Sequence, residues 1–346
     1  MKFVAVLYPG PAEQHGDRSE LPLLGSADQE LGLRPLLERQ GHELVSLTDQ
    51  GEELRRHLKD ADVLITTPFW PAYVGREDLE SAERLKLVLT AGVGSDHIDT
   101  GAAAQRGVTV AEVTGSNVVS VAEHAVMQLL ALVRNFVPAY QQVVDGRWDI
   151  ADVAAGSHDI ENKTVGIIGM GQIGQRIALR LQPFDVQVVY NNRSRRSTAE
   201  EAVFGARYKH LDDLVAQSDA IVLSCPLTPE TKGLFGEERL NAMRPGAWLV
   251  NIARGQIVDR DALVSALNSG HLGGYAGDVW YPQPAPSDHP WRTMPNHAMT
   301  PHVSGTTLEA QQRYASGVRD SITRFLNGQS PQEDYVVARG GGNGQG

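Results

Sequence analysis

"TVGIIGMGQIGQRIALRLQ", Thr164–Gln182, is the stretch whose reading decides the fold. A short apolar run, Thr164–Ile168, leads into a glycine turn and then into a segment with helical spacing. Gly169, Gly171 and Gly174 form G-x-G-x-x-G, and each glycine has a physical task. The first permits a tight turn, the second lets backbone approach a pyrophosphate, and the third lets the helix pack closely on the strand. The helix N-terminus adds positive potential. The motif alone is a weak signal, and a merely tight turn is the plain alternative. Its strand–turn–helix setting, with a second strand "VQVVY" (Val186–Tyr190) at the right distance, favours a dinucleotide site.

Such a site usually presents a carboxylate to the adenosine ribose about 20 residues after the turn. Here "VVYNNRSRR" (Val188–Arg196) places Asn192 there, followed by Arg193, Arg195 and Arg196. A carboxylate repels a 2′-phosphate, whereas an amide does not, and guanidiniums bind phosphate in a paired fashion. The residues therefore predict that NADP is accepted and preferred. The alternative is a solvated basic loop beside a permissive NAD site.

Outward from this motif, strand-like runs alternate with helical ones. "FVAVLY", "HELVSL", "DVLITT", "KLVLTAG" and "VTVAEV" read as strands, with "LGLRPLLERQG", "EELRRHL" and "DLESAERL" as helices between them. The rhythm continues through "DAIVLS", "AWLVNI" and "GYAGDVW", and implies an α/β fold of parallel sheets flanked by helices. Two long helical stretches, "SVAEHAVMQLLALVRNF" and "TLEAQQRYASGVRDSITRFL", suit linkers between domains. The first is apolar on nearly every side, which predicts burial, with a second subunit as the candidate cover. We read one domain from residues 1–117 with a return at 305–346, and a second over 118–304.

The bulk numbers agree with two compact domains in a chain of 346 residues. A net charge of −11 argues against a nucleic-acid or anionic-membrane surface. The single cysteine, Cys225, excludes an internal disulfide and suits a reducing cytoplasm; a buried inert thiol is its default reading. "MKFVAVLYPG" reads as a first strand, not a signal peptide, and no uncharged apolar run approaches the ~18 residues of a membrane span. The tail "ARGGGNGQG" is expected to be disordered. No metal signature is present: the eleven histidines lack ligand-like spacing, and "HEL" at His42 has no second histidine.

Beyond these features, "TTPFWPAYV", "TAGVGSDHID", "NIARGQIVDRDAL", "GYAGDVWYPQPAP" and "HPWRTMPNHAMTPHVSGTT" resemble the D-2-hydroxyacid dehydrogenase superfamily. The likeness is closer to its metal-independent, nicotinamide-dependent formate dehydrogenase branch, and it covers nearly the whole chain. The resemblance implies a Rossmann-type cofactor domain, a flavodoxin-like substrate domain, and a homodimer through the first linker helix. It implies nucleotide contacts at Gly169, Gly171, Gln172, Ile173, Gly174, Asn192, Arg193, Ser194, Pro226, Thr231, Ile252, Ala253, Asp278, Ser304 and Gly305. The chain departs from the branch in a shorter segment after the first strand, in Asn192, and in Val93 where isoleucine is usual.

Formate oxidation moves a C–H hydride to nicotinamide and releases carbon dioxide, with no hydroxyl proton to remove. Such a site needs an anion clamp and a dry cavity, not a general base. Arg254 offers paired donors for a carboxylate; a surface ion pair with Asp259 or Asp261 is its plain reading. His302 falls where the superfamily carries its histidine, and Gln283 stands where hydroxyacid dehydrogenases have a glutamate. A neutral amide orients the imidazole without raising its pKa. Asn117 reads first as an N-cap, and the resemblance adds donation to formate. Pro68 and Phe69 belong to a stiff apolar wall, and the backbone N–H groups of Val93 and Gly94 are candidates for the second carboxylate oxygen. Two further readings stay open: a dehydrogenase of larger 2-hydroxy acids or another small oxyanion, and a non-enzymatic dinucleotide sensor.

Overall fold

A computed structural model describes residues 1–8 and 30–340. The expectations about a shortened segment after the first strand and a disordered end beyond Gly340 lie outside the described residues. The chain divides into two compact units, Met1–Asn117 with Gly305–Gly346, and Val118–Ser304.

In chain order the first unit contains β1 (Lys2–Val6), α1 (Leu33–Glu38), β2 (Glu43–Leu47), α2 (Glu52–Leu58) and β3 (Val63–Thr66). It continues with α3 (Arg76–Ser81), β4 (Leu87–Thr90), α4 (Thr100–Gln105) and β5 (Thr109–Glu112). The second unit begins with α5 (Val118–Val133), α6 (Phe136–Val144), α7 (Ile150–Ala155), β6 (Thr164–Ile168), α8 (Gln172–Leu181) and β7 (Gln187–Asn191). Then come α9 (Thr198–Phe204), β8 (Ala206–Tyr208), α10 (Leu211–Gln217), β9 (Ala220–Leu223), α11 (Glu237–Ala242), β10 (Ala247–Asn251), α12 (Arg260–Asn268), β11 (Leu272–Gly277) and β12 (His297–Met299). The chain returns to the first unit with α13 (Leu308–Leu326) and β13 (Val336–Ala338).

The first sheet runs β13-β5-β4-β3-β1-β2, and the second β12-β11-β10-β9-β6-β7-β8. The first is parallel except that β13 pairs antiparallel with β5; the second is parallel throughout. Both orders reverse once, which opens a crevice at the carboxyl ends of the strands where such sheets bind ligands. That crevice lies between β6 and β9 in the second unit.

Helices cover both faces of each sheet, so neighbouring strand residues bury in opposite directions. Phe3, Ile65 and Leu89 pack with Tyr314 and Val318 on one face, while Val4, Leu64 and Val88 pack on the other. In the second unit Ile167, Val222 and Val250 face α5 and α8, and Ile168, Ile221 and Leu249 face the opposite layer. Burial on both faces explains why these strands read as continuous apolar runs rather than alternating ones.

The differences from the sequence reading follow from length. The three-residue strands β8, β12 and β13 are too short to show a period, and the short helices α6 and α7 lie outside the elements that the sequence pattern marks. α3 stops at Ser81 instead of continuing to Leu85. α5 buries Val121, Ala122, Ala125 and Leu129, but Met127 stays 52% exposed, so the helix has an outward face.

Candidate active site

The glycine turn sits at the mouth of the second unit's crevice. Gly169 adopts φ +99°, and a Cβ there would lie 2.6 Å from the Cys225 backbone nitrogen. At Gly174 a Cβ would come within 2.1 Å of the Gly169 carbonyl oxygen, so only glycine lets α8 approach the turn. Gly171 differs: a Cβ would meet nothing within 4 Å. That open space above the α8 N-terminus is the cradle a dinucleotide's pyrophosphate requires, so the residues fit the cofactor. Gln172 and Ile173 form the first turn of α8 beside it. The Gly169 N–H donates to the Asn191 carbonyl (2.9 Å), and the Ser224 hydroxyl donates to the Gly169 carbonyl (2.7 Å), fastening the turn to β7 and β9. Ser224 carried no sequence signal.

At the ribose end the basic run is less available than its sequence suggests. Arg195 makes a paired contact with Glu201 (2.8 and 2.9 Å), and Arg196 donates twice to the Met170 carbonyl (3.1 and 2.7 Å). Asn192 donates to the Ser194 carbonyl (3.1 Å), while Arg193 and Ser194 are exposed. Arg195 and Arg196 are thus engaged within the protein, and Arg193 is the exposed guanidinium next to Asn192. On the far side, the Thr231 hydroxyl donates to the Pro226 carbonyl (2.7 Å) and holds that turn. Cys225 is buried, and desolvation pushes its thiol up to about 11.

β10, β11 and β12 are neighbours, and their carboxyl ends present the remaining residues in sequence. Ile252, Ala253 and Arg254 follow β10, with the first two buried. Arg254 Nη1 donates to its neighbour's carbonyl at Ala253 (2.7 Å). The carboxylates suspected of pairing with it are engaged elsewhere: Asp259 caps α12, and Asp261 pairs with Arg260. A Cβ on Gly255 would lie 2.7 Å from the Trp280 carbonyl carbon, so this loop packs directly on the one leading to Gln283. Gln283 accepts from His302 through Oε1 and Nδ1 at 2.8 Å. The amide orients the ring without bringing a charge.

His302 itself takes φ +59°, a left-handed conformation uncommon for a residue other than glycine. The cause lies beneath it. Asp278, fully buried after β11, accepts from the backbone N–H groups of Val303 (2.8 Å) and Ser304 (2.7 Å) and from the Thr300 hydroxyl (2.6 Å). Charged hydrogen bonds of this kind contribute about 1.5–3 kcal/mol each, enough to offset the strain of one such residue. The Trp280 indole N–H adds a bond to the Thr300 carbonyl (2.8 Å). His124 lies against Thr300 (3.1 Å), and burial lowers its pKa although Asp278 nearby opposes the shift.

In the first unit the corresponding residues also follow strand ends. Pro68 and Phe69 come after β3, and the Phe69 ring lies 6.3 Å from that of Tyr314. After β4, Gly92 at φ +142° would place a Cβ 2.8 Å from the Pro68 ring. The Gly94 N–H donates to the Glu112 carboxylate (2.8 Å), which corrects its expected role as a formate donor and leaves Val93. Asn117 does not use its side-chain oxygen as a cap: Oδ1 is buried without a hydrogen-bond partner. A Cβ on Gly305 would fall 2.7 Å from Asn117 Nδ2, which accounts for glycine at that position. Among the described residues no cluster of His, Cys, Asp or Glu is arranged to hold a metal, and no helix is long and apolar enough to cross a membrane.

The chain is similar to known proteins. The family description "D-isomer specific 2-hydroxyacid dehydrogenase, NAD binding domain" matches residues 126–304. The chain belongs to that dehydrogenase family. Within the family, the mitochondrial formate dehydrogenase of Solanum tuberosum is 48% identical over 344 residues, covering 98% of this chain and 90% of that protein. Formate dehydrogenase of Candida boidinii is 49% identical over 355 residues, covering 98% and 96%. The crystal structure of NAD-dependent formate dehydrogenase from Staphylococcus aureus in complex with NAD matches with a TM-score of 0.92 at 49% identity, covering 99% of this chain and all of that one. D-lactate dehydrogenase from Aquifex aeolicus, at 24% identity and TM-score 0.83, shares the fold.

Gly171 and Gly174 lead to opposite expectations. Gly171→Val is expected to leave the thermal midpoint within about 2 °C of wild type while weakening dinucleotide binding at least tenfold. Gly174→Val is expected to lower both, because its side chain has no room. Calorimetric titration with NAD beside a melting curve checks this; equal binding by Gly171→Val and wild type would remove the pyrophosphate from that cradle.

Proposed function

We propose that the chain is a formate dehydrogenase that oxidises formate to carbon dioxide, and that it takes NADP as well as NAD. Bound dinucleotide supplies the hydride acceptor. The observation that supports the reading is that the glycine cradle, Arg254 and the hydrogen-bonded His302–Gln283 pair all lie in loops after strands of the one parallel sheet. The 48–49% identity to formate dehydrogenases over nearly the full chain supports it.

Arg254 clamps the formate oxygens and opposes the negative charge of the substrate, in a chain whose net charge would otherwise repel an anion. His302 orients the second oxygen and takes no proton, because the reaction has none to give. Gln283 keeps that imidazole aligned as a neutral pair, where a carboxylate would add repulsion against the substrate. Asn117 and the Val93 N–H are assigned as further donors to formate, and Pro68 and Phe69 as the apolar wall that leaves room only for a small anion. Ile252, Ala253, Asp278, Ser304 and Gly305 are assigned to the nicotinamide end, and Pro226 and Thr231 to the adenosine end.

The NADP reading rests on Asn192, which brings no charge to the ribose position, and on exposed Arg193 beside it. A homodimer is supported by an unusual outer face on α6, α7 and their connection. Tyr140, Trp148 and Ile150 are 60%, 81% and 71% exposed, with Phe136, Val143 and Val144 in the same stretch. Monomeric proteins rarely leave so continuous an apolar face to water.

Absorbance of the reduced nicotinamide should rise with formate and not with lactate, and should fall with glyoxylate no faster than without it, using either cofactor. No formate-dependent rise with either cofactor would sink the function. Asn192→Asp is expected to shift the ratio of kcat/KM for NADP over NAD at least tenfold toward NAD; an unmoved ratio shows that Asn192 does not set the choice.

Gln283→Glu is expected to add a fall in formate kcat/KM at high pH. The introduced carboxylate would raise the His302 pKa, and once that pKa is passed the pair keeps a net negative charge facing an anion. Profiles that superimpose across the pH range would show that the pair does not act on the substrate. For the assembly, Tyr140→Glu with Trp148→Glu should convert a dimer into single chains in sedimentation; a wild type that already sediments as one chain rejects the dimer.

A further inference from the structure

We propose that Asn251 is a positioning residue for formate oxidation, its carboxamide fixing the loop that presents Arg254. The inference rests on the reading of Arg254 as the formate clamp. Asn251 is the last residue of β10 and is fully buried. Its Oδ1 accepts from the Ala253 N–H (3.0 Å), and its Nδ2 donates to the Arg254 carbonyl (2.9 Å). One side chain therefore spans the whole turn Asn251–Arg254, gripping it at two successive residues.

The consequence reaches the guanidinium. Arg254 Nη1 is anchored on the Ala253 carbonyl, which belongs to the residue whose N–H Asn251 holds. The Arg254 carbonyl also accepts from the Ile257 N–H (3.2 Å), so both its lone pairs have donors. On the far side Gly255 is packed against the Trp280 carbonyl with no room for a side chain. The Asn251 backbone carbonyl accepts from the Asp278 N–H (3.1 Å), so the residue that grips the Arg254 loop is joined to the residue that grips the His302 loop.

Only an amide of this length performs both bonds. Aspartate keeps the acceptor, loses the donor and faces a carbonyl with a charge that no water can solvate. Serine keeps an acceptor for the Ala253 N–H and drops the bond to Arg254. Either change leaves a buried polar group unmatched and frees the loop to shift. A shift on the order of 1 Å in a clamp costs roughly 100-fold in rate.

The test measures formate kcat and KM at saturating NAD, the Kd of NAD, and the thermal midpoint. The proteins are wild type, Asn251→Asp, Asn251→Ser, Arg254→Lys, and Asn251→Ser combined with Arg254→Lys. Both Asn251 variants are expected to lose roughly 10- to 100-fold in formate kcat/KM while NAD affinity moves less than about threefold. In the Arg254→Lys background the serine change is expected to cost less than about threefold, since its effect passes through the arginine. Equal losses in both backgrounds, or unchanged formate kinetics in a variant that is only less stable, overturn the proposal. If the aspartate variant does not fold, the serine variant decides. A wild type inactive on formate removes the functional reading and this one together, whereas an active wild type with additive losses removes this one alone.

Discussion

The buried carboxylate of Asp278 is the interaction on which the carboxyl edge of the second sheet around His302 depends. A carboxyl group with no exposure needs partners for its oxygens, and here two backbone N–H groups and one hydroxyl donate to them. Those donors come from Thr300, Val303 and Ser304, which bracket His302. The left-handed backbone of the histidine follows from the geometry that lets its neighbours reach one carboxylate. Remove the charge and the loop loses the reason for its shape.

The same logic repeats along the edge. Each strand of the second sheet that borders the site ends in a loop whose conformation is enforced by a buried polar group or by the absence of a side chain. Ser224 secures the phosphate turn, Asn251 spans the Arg254 turn, Gly255 lets that turn lie on Trp280, and Gln283 completes the histidine. Arg254 and His302 are themselves held, by the Ala253 carbonyl and by Gln283, on loops that these contacts fasten. For hydride transfer without a general base, orientation is the main contribution a protein can make, and rigid loops on a packed sheet supply it.

Much of this was readable in the sequence. The glycine spacing at Gly169–Gly174 carries its own mechanism, and the continuous apolar runs announce strands buried on both faces. The His302–Gln283 contact was foreseeable only through the family resemblance, since nineteen positions separate the two residues in the chain. Other features were hidden for identifiable reasons. Arg195 and Arg196 look like phosphate ligands in a linear string, but Glu201 and the Met170 carbonyl come to them only through the helix α9 and the folded turn. Gly94 looked like an open donor until Glu112, on the adjacent strand, closed on it. Asn251 sat unremarked inside an apolar run.

By itself the sequence determined local facts: the longer apolar strands, the places where the backbone must turn, and the residue types whose chemistry suits an anion or an imidazole. These depend on residue type and spacing over a few positions. The tertiary structure alone decided which of those groups are available and which are already satisfied, because a hydrogen bond between residues distant in the chain exists only once the sheet brings their strand ends together. Asp278 beneath His302 is of that second kind.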